Sequence, residues 1–189
     1  FQRWMAMVVV GGGFMSDYDV YPLHKQVKKG LLLPNNGKFT NYDPSPKGGV
    51  PSFQSGSAEE WSRMTSAIMN YVPQHKGEFY SDMFAMRDLN MENPGSFDRC
   101  PKVVGHMMTT QDGKIECERY TSLIGFHLSH DASDQAIQNG VFDEVAGAKS
   151  RTIYAQQFLE RFRNECTGYG KDVTFSLAHI YWQTEFPFD

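Results

Sequence analysis

Two stretches of this chain space their apolar residues as helices do. In the first, Trp61, Met64, Ile68 and Val72 recur at steps of three and four, which lines one helical face. Ser57-Ala58-Glu59-Glu60 precedes them in the S-x-x-E form of a capping box, and Pro73 closes the run. In the second, from about Ser150 to Cys166, Ile153, Ala155, Leu159 and Phe162 form the apolar face, with charges largely opposite. Phe1 to Val10 reads as the end of a helix. Gly11 to Gly13 then stops it and supplies backbone angles that other residues avoid.

Shorter apolar runs predict strands. Phe14 to Val20 reads as one, broken by Pro22. Leu31-Leu32-Leu33 reads as another, closed by a turn at Pro34 to Gly37. Lys38 to Tyr42, Val50 to Gln54, Val103-Val104 and Tyr120 to Leu128 complete the set. Ser81 or Asp82 is placed to cap a helix over Met83 to Leu89. The aromatic tail, His179 to Asp189, is expected to pack back on the domain. Helices and strands interleave, so the expected class is α/β, as a single domain over residues 1–189.

Composition narrows the function. With 40% hydrophobic and 14% aromatic residues in 189, the chain has material for a core. A formal charge of −4 gives no reason to expect nucleic acid. No apolar run is long enough for a membrane helix. Three cysteines, Cys100, Cys117 and Cys166, cannot all pair within one chain. Either all three are reduced, or Cys100 and Cys117 bridge a loop in an oxidising compartment.

The chemistry concentrates in Gly11-Gly12-Gly13-Phe14-Met15-Ser16-Asp17-Tyr18-Asp19. In an extended segment Asp17 and Asp19 point the same way. Two carboxylates held close repel and lose solvation. Mg²⁺ or Mn²⁺ in front of them relieves both costs and keeps positions open for substrate phosphates. On this reading the two aspartates converge on an exposed site at a strand end.

Trp4, Ala6, Gly12-Gly13 and the Asp17-Tyr18-Asp19 triplet resemble the DXD segment of GT-A glycosyltransferases, over roughly Phe1 to Leu23. The resemblance implies a GT-A-like mixed sheet flanked by helices. It implies a sugar-nucleotide site at Gly12, Gly13, Asp17, Tyr18 and Asp19, with Mn²⁺ or Mg²⁺ on the aspartates. Such domains place β-α units that hold the nucleotide ahead of the motif, so an N-terminally truncated catalytic portion is expected, one that is inactive alone. His127 and His130, after an apolar strand, resemble the third metal ligand of these enzymes. Asp82 is the candidate base for an acceptor hydroxyl in an inverting transfer.

The implied partners are a nucleotide-sugar donor and a glycan, glycoprotein or glycolipid acceptor. The implied place, for a eukaryotic enzyme, is the Golgi or secretory lumen. Lys25, Lys28 and Lys29 either meet phosphates or form a solvated face. Trp61 is either a core residue or a ring on which a sugar stacks. Two alternatives stand beside the transferase. The same aspartates resemble the nucleophile motif of haloacid-dehalogenase-type phosphatases, though no later acidic pair completes a Mg²⁺ site. A non-catalytic domain that keeps the fold is the other.

Overall fold

The structure is a computed structural model that describes residues 1–23, 33–45, 47–104, 109–110, 112–120, 123–140 and 151–167. Helices and strands mix throughout, so the class is α/β. The chain forms two compact units. One holds Phe1–Asp17 and the described residues of Lys29–Pro101, and the other holds the described residues of Tyr18–Lys28 and Lys102–Ser176. Lys25, Lys28, Lys29, Leu31, Leu32 and the 179–189 tail lie outside the described residues.

Among the described residues, the first unit is a four-stranded sheet with three α-helices. Its strands are β1 (Gly12–Ser16), β3 (Thr40–Asn41), β4 (Phe53–Ser57) and β5 (Asp98–Arg99), in the order β1-β4-β3-β5. β4 pairs antiparallel with β1 and β3, and β5 joins β3 in parallel. Its helices are α1 (Gln2–Val9), α2 (Ala58–Met69) and α3 (Asp82–Glu92). Trp4, Phe39 and Trp61 are fully buried at its centre. Trp4 stacks on Phe39 at 5.3 Å, and Trp61 meets Phe39 edge-on at 4.8 Å. Such ring pairs add about 1 kcal/mol each beyond their burial. Trp61 is therefore core and has no face to offer a sugar.

Ser57 caps α2 by accepting from the Glu60 N–H at 3.2 Å. The reciprocal half of the capping box is not made. Glu60 turns instead to the Phe39 N–H, at 2.8 Å, and to Arg63, at 2.7 Å. The helix ends at Met69, and Val72 falls in a following 3-10 turn, Val72–His75. Predicted strand limits shift where pairing decides them. The strand expected at Val50 to Gln54 lies at Phe53–Ser57, because all five residues pair with β1. The strand expected at Lys38 to Tyr42 shortens to Thr40–Asn41.

The second unit is a three-stranded sheet, β2 (Val20–Pro22), β6 (Val103–Val104) and β7 (Gly125–His127), in the order β2-β7-β6. Pro22 ends β2 opposite Gly125. Among the described residues two α-helices follow, α4 (His130–Gln138) and α5 (Arg151–Glu165). The strand expected over Tyr120 to Leu128 is mostly replaced. Cys117–Tyr120 is a 3-10 turn that drives Tyr120 into the core, and among the described residues only Gly125–His127 pairs. The buried face of α5 is Tyr154, Ala155, Phe158, Phe162 and Cys166, with Leu159 partly buried, while Ile153 is exposed. The bulkier rings at steps of four won the core from Ile153.

A disulfide joins Cys117 to Cys166, whose Cα atoms are 5.4 Å apart. This overturns both a Cys100–Cys117 bridge and three reduced thiols. The turn at 117–120 and the end of α5 bring distant cysteines together, and sequence spacing held no sign of it. Cys100 is buried where β5 ends. No described helix is long and apolar enough to cross a membrane.

One glutamate in each unit makes stability fall in acid. Arg63 draws the Glu60 pKa down; burial works against this, and the Phe39 N–H adds to it. For Glu165, burial opposes its charge, but Arg161 and the Ile115 N–H more than offset that. Both pKa values lie below the ordinary 4.5. Depressed carboxylates stabilise the fold above their unfolded pKa and lose that contribution as pH drops through the folded value. The melting temperature is therefore expected to hold flat down to about pH 5 and to fall below it. A Glu60→Gln, Glu165→Gln double variant that keeps the full acid sensitivity would assign the effect to other groups.

Candidate functional site

The two aspartates do not share an extended strand. β1 ends at Ser16 and β2 begins at Val20, so Asp17 to Asp19 form the turn between them. The extended segment assumed for them is therefore a turn, and each aspartate has partners in its own unit.

In the first unit, Asp17 is half-buried, and its N–H donates to the Ser52 carbonyl at 2.8 Å. Its carboxylate pairs with Arg3 of α1. Arg3 also donates through Nε and Nη2 to Asp82 Oδ2, at 2.9 and 2.8 Å, and Trp4 Nε1 reaches the same oxygen at 2.9 Å. Asp82 Oδ1 takes the Met83 N–H at 3.0 Å. Burial works against the Arg3 charge, yet Asp82 and then Asp17 hold its pKa above the usual arginine value. Asp82 thus braces α1 against α3, with both oxygens engaged. Nothing in that geometry turns it toward an acceptor hydroxyl. The sequence gives Arg3 no distinguishing mark beyond a place beside Trp4.

Packing and a positive φ call for glycine at position 12, and a positive φ alone calls for it at position 13. Gly12 has φ +87°, and a Cβ there would sit 2.5 Å from the Ala58 nitrogen and 2.7 Å from the Gly56 oxygen. Gly13 has φ +118°, and its carbonyl accepts from Trp61 Nε1 at 3.2 Å. Gly12→Ala is expected to cost about 3 kcal/mol, from backbone strain and overpacking together. Thermal or urea melts would show it. A variant as stable as the parent would mean that the β1–β4 edge can spread.

In the second unit, Asp19 and His127 meet. The β2–β7 register sets Val20 against His127, and the Leu128 N–H donates to the Asp19 carbonyl at 2.8 Å. Asp19 Oδ1 and His127 Nε2 lie 3.5 Å apart. Both residues are buried, at 5% and 8% exposure. The exposed aspartate expected from sequence is therefore corrected for Asp19, while Tyr18 beside it is 82% exposed. His130 is the first residue of α4, after the capping Ser129; its side chain lies outside what the structure describes.

Chemically, a buried carboxylate and imidazole at this distance either share a proton or share a cation. The donor pair, one hard oxygen and one borderline nitrogen, fits Mn²⁺ and fits Mg²⁺ less well. The remaining positions would fall to water and substrate oxygens.

A cavity of about 290 Å³ in the first unit is lined by Lys38, Glu60, Arg63 and Asp98 among others. Its two cations face two carboxylates, so it favours no charged ligand. No family model, curated protein or solved structure matches the chain.

Proposed function

We propose that this chain carries the cation site of a metal-dependent glycosyltransferase that uses a nucleotide-sugar donor. The observation that carries the reading is the buried Asp19–His127 pair, whose Asp19 belongs to a sequence run that resembles the DXD segment of GT-A enzymes. Asp19 and His127 would hold Mn²⁺, with Mg²⁺ as the weaker occupant. The cation would neutralise the diphosphate as it leaves the sugar. Asp17 belongs to the same motif by sequence. Arg3 fixes its carboxylate. No residue is assigned as the acceptor's base, since Asp82 is held by Arg3 and Trp4.

The test is cation-dependent binding of nucleoside diphosphates and their sugars to this chain, followed by calorimetry with and without Mn²⁺. Binding that requires Mn²⁺ and survives when phosphate monoesters are supplied in excess supports the proposal. Hydrolysis of simple phosphate esters, with no preference for a sugar nucleotide, would replace it with the phosphatase reading.

A further inference from the structure

The cavity of the first unit has walls that are held in place. It encloses about 290 Å³ between Lys38, Glu60, Arg63 and Asp98, with buried Phe39 and Phe97 completing the lining. Glu60 accepts from Arg63 Nε at 2.7 Å, from Arg63 Nη2 at 2.8 Å and from the Phe39 N–H at 2.8 Å. It has given up its capping-box partner to do so. Asp98 Oδ2 accepts from Asn35 Nδ2, which also reaches Thr40 Oγ1 at 3.1 Å. Lys38 follows three left-handed residues, Asn35, Asn36 and Gly37, with φ of +52°, +52° and +78°. Two non-glycine residues in that region in succession are uncommon. Such conformations persist where their surroundings fix them, and they gather at ligand sites.

The groups left over decide what the cavity can take. The fork to Glu60 uses Arg63 Nε and Nη2 and leaves Nη1 outside it. Lys38 is exposed, and its charge bears on Glu60. Asn35 occupies only one oxygen of Asp98. An anion here would meet Glu60 and Asp98, and a cation would meet Lys38 and Arg63. A zwitterion would set its carboxylate beside Glu60, which already engages Arg63. A hydroxyl suits both signs, because one oxygen donates and accepts. Ligand pockets run from about 300 to 1,000 Å³, so this one is at the small end. It has room for a single ring and none for a whole nucleotide or an oligosaccharide.

We infer that this pocket holds one neutral sugar ring, whose hydroxyls accept from Lys38 Nζ and Arg63 Nη1 and donate to Asp98 Oδ1. Phe39 and Phe97 meet edge to face at 6.2 Å and stay buried. They stiffen the site and offer no face for stacking, so selectivity falls to the polar rim. The inference does not rest on the cation centre, since the pocket shares no residue with Asp19 or His127.

The test is a nuclear magnetic resonance titration of the chain in metal-free buffer. The probes are D-glucose, D-galactose, D-mannose and N-acetyl-D-glucosamine, with glycine and inorganic phosphate as charged controls. At least one sugar is expected to shift the amides of Lys38, Ser96 and Phe97 saturably, while both controls leave them in place. No saturable shift with any of the four sugars would overturn the inference, as would tighter binding of glycine or phosphate at those amides. Lys38→Met keeps the apolar stem of an exposed residue and removes one donor. It should weaken the sugar at least about tenfold, the equivalent of one charge-assisted hydrogen bond. Undiminished affinity in that variant would overturn the assignment; if it fails to fold, the parent's amide shifts decide. Asp19→Asn should leave the sugar titration unchanged, so failure of the cation reading is told apart from failure of this one.

Discussion

Asp19→Asn should abolish Mn²⁺ binding by this chain while leaving it folded. Asparagine keeps the shape of aspartate and one side-chain oxygen, but it is a far weaker ligand for a hard cation. Changes one shell further out typically weaken metal sites by 10–100-fold, so losing this carboxylate should cost at least about 100-fold. The choice of Asn follows from the burial of Asp19 at 5% exposure, 3.5 Å from His127. Alanine there would leave a buried imidazole facing a void, and lost binding would be confounded with lost structure. With Asn, a stability loss of only about 1 kcal/mol is expected, since the side chain keeps its volume and polarity in the buried site. Free Mn²⁺ measured by electron paramagnetic resonance gives the affinity, and a thermal melt gives the fold. Undiminished Mn²⁺ affinity in a folded variant would remove Asp19 from the cation shell and leave the pair as a structural contact.

The second large effect concerns the Cys117–Cys166 disulfide. It joins residues 49 apart in sequence. Closing a loop of that length restricts the unfolded chain by about 4 kcal/mol on the loop-entropy model. The bond anchors the end of α5, and Cys166 and the ring of Phe162 share the second unit's core. Replacing both cysteines with alanine, or adding a strong reductant, should lower stability by about 4 kcal/mol. Amides of α5 should lose much of their protection from hydrogen exchange. Mass spectrometry of peptides containing Cys117 and Cys166, without reduction, would show the linkage directly. Unlinked peptides from protein folded in an oxidising buffer would rule the bond out. Such a bond also favours an oxidising compartment over a reducing one.

Local signals carried far in this chain where a single element decides the outcome. The S-x-x-E start of α2, its Trp61, Met64 and Ile68 face and the glycine stop after α1 all depend on steps of three or four residues and on φ angles. Those are properties of a short segment. Asp19 and His127 were both legible as candidate ligands, because each residue type has a chemistry of its own.

What needed the tertiary structure is whatever depends on a partner distant in sequence. Strand limits moved because β1 pairs with Phe53–Ser57, and hydrogen-bond register is a property of two segments. The burial of Asp19 came from β2 lying against β7. Asp82 became a brace because α1 sets Arg3 and Trp4 beside it, 79 and 78 residues away. The cysteine pairing followed from where α5 ends, and the setting of buried Asn41 opposite buried Gln54 from one cross-strand register. Local sequence set the elements and the chemistry available. Which groups meet was decided by long-range packing, because burying the aromatic cores outweighs the preferences of any one segment.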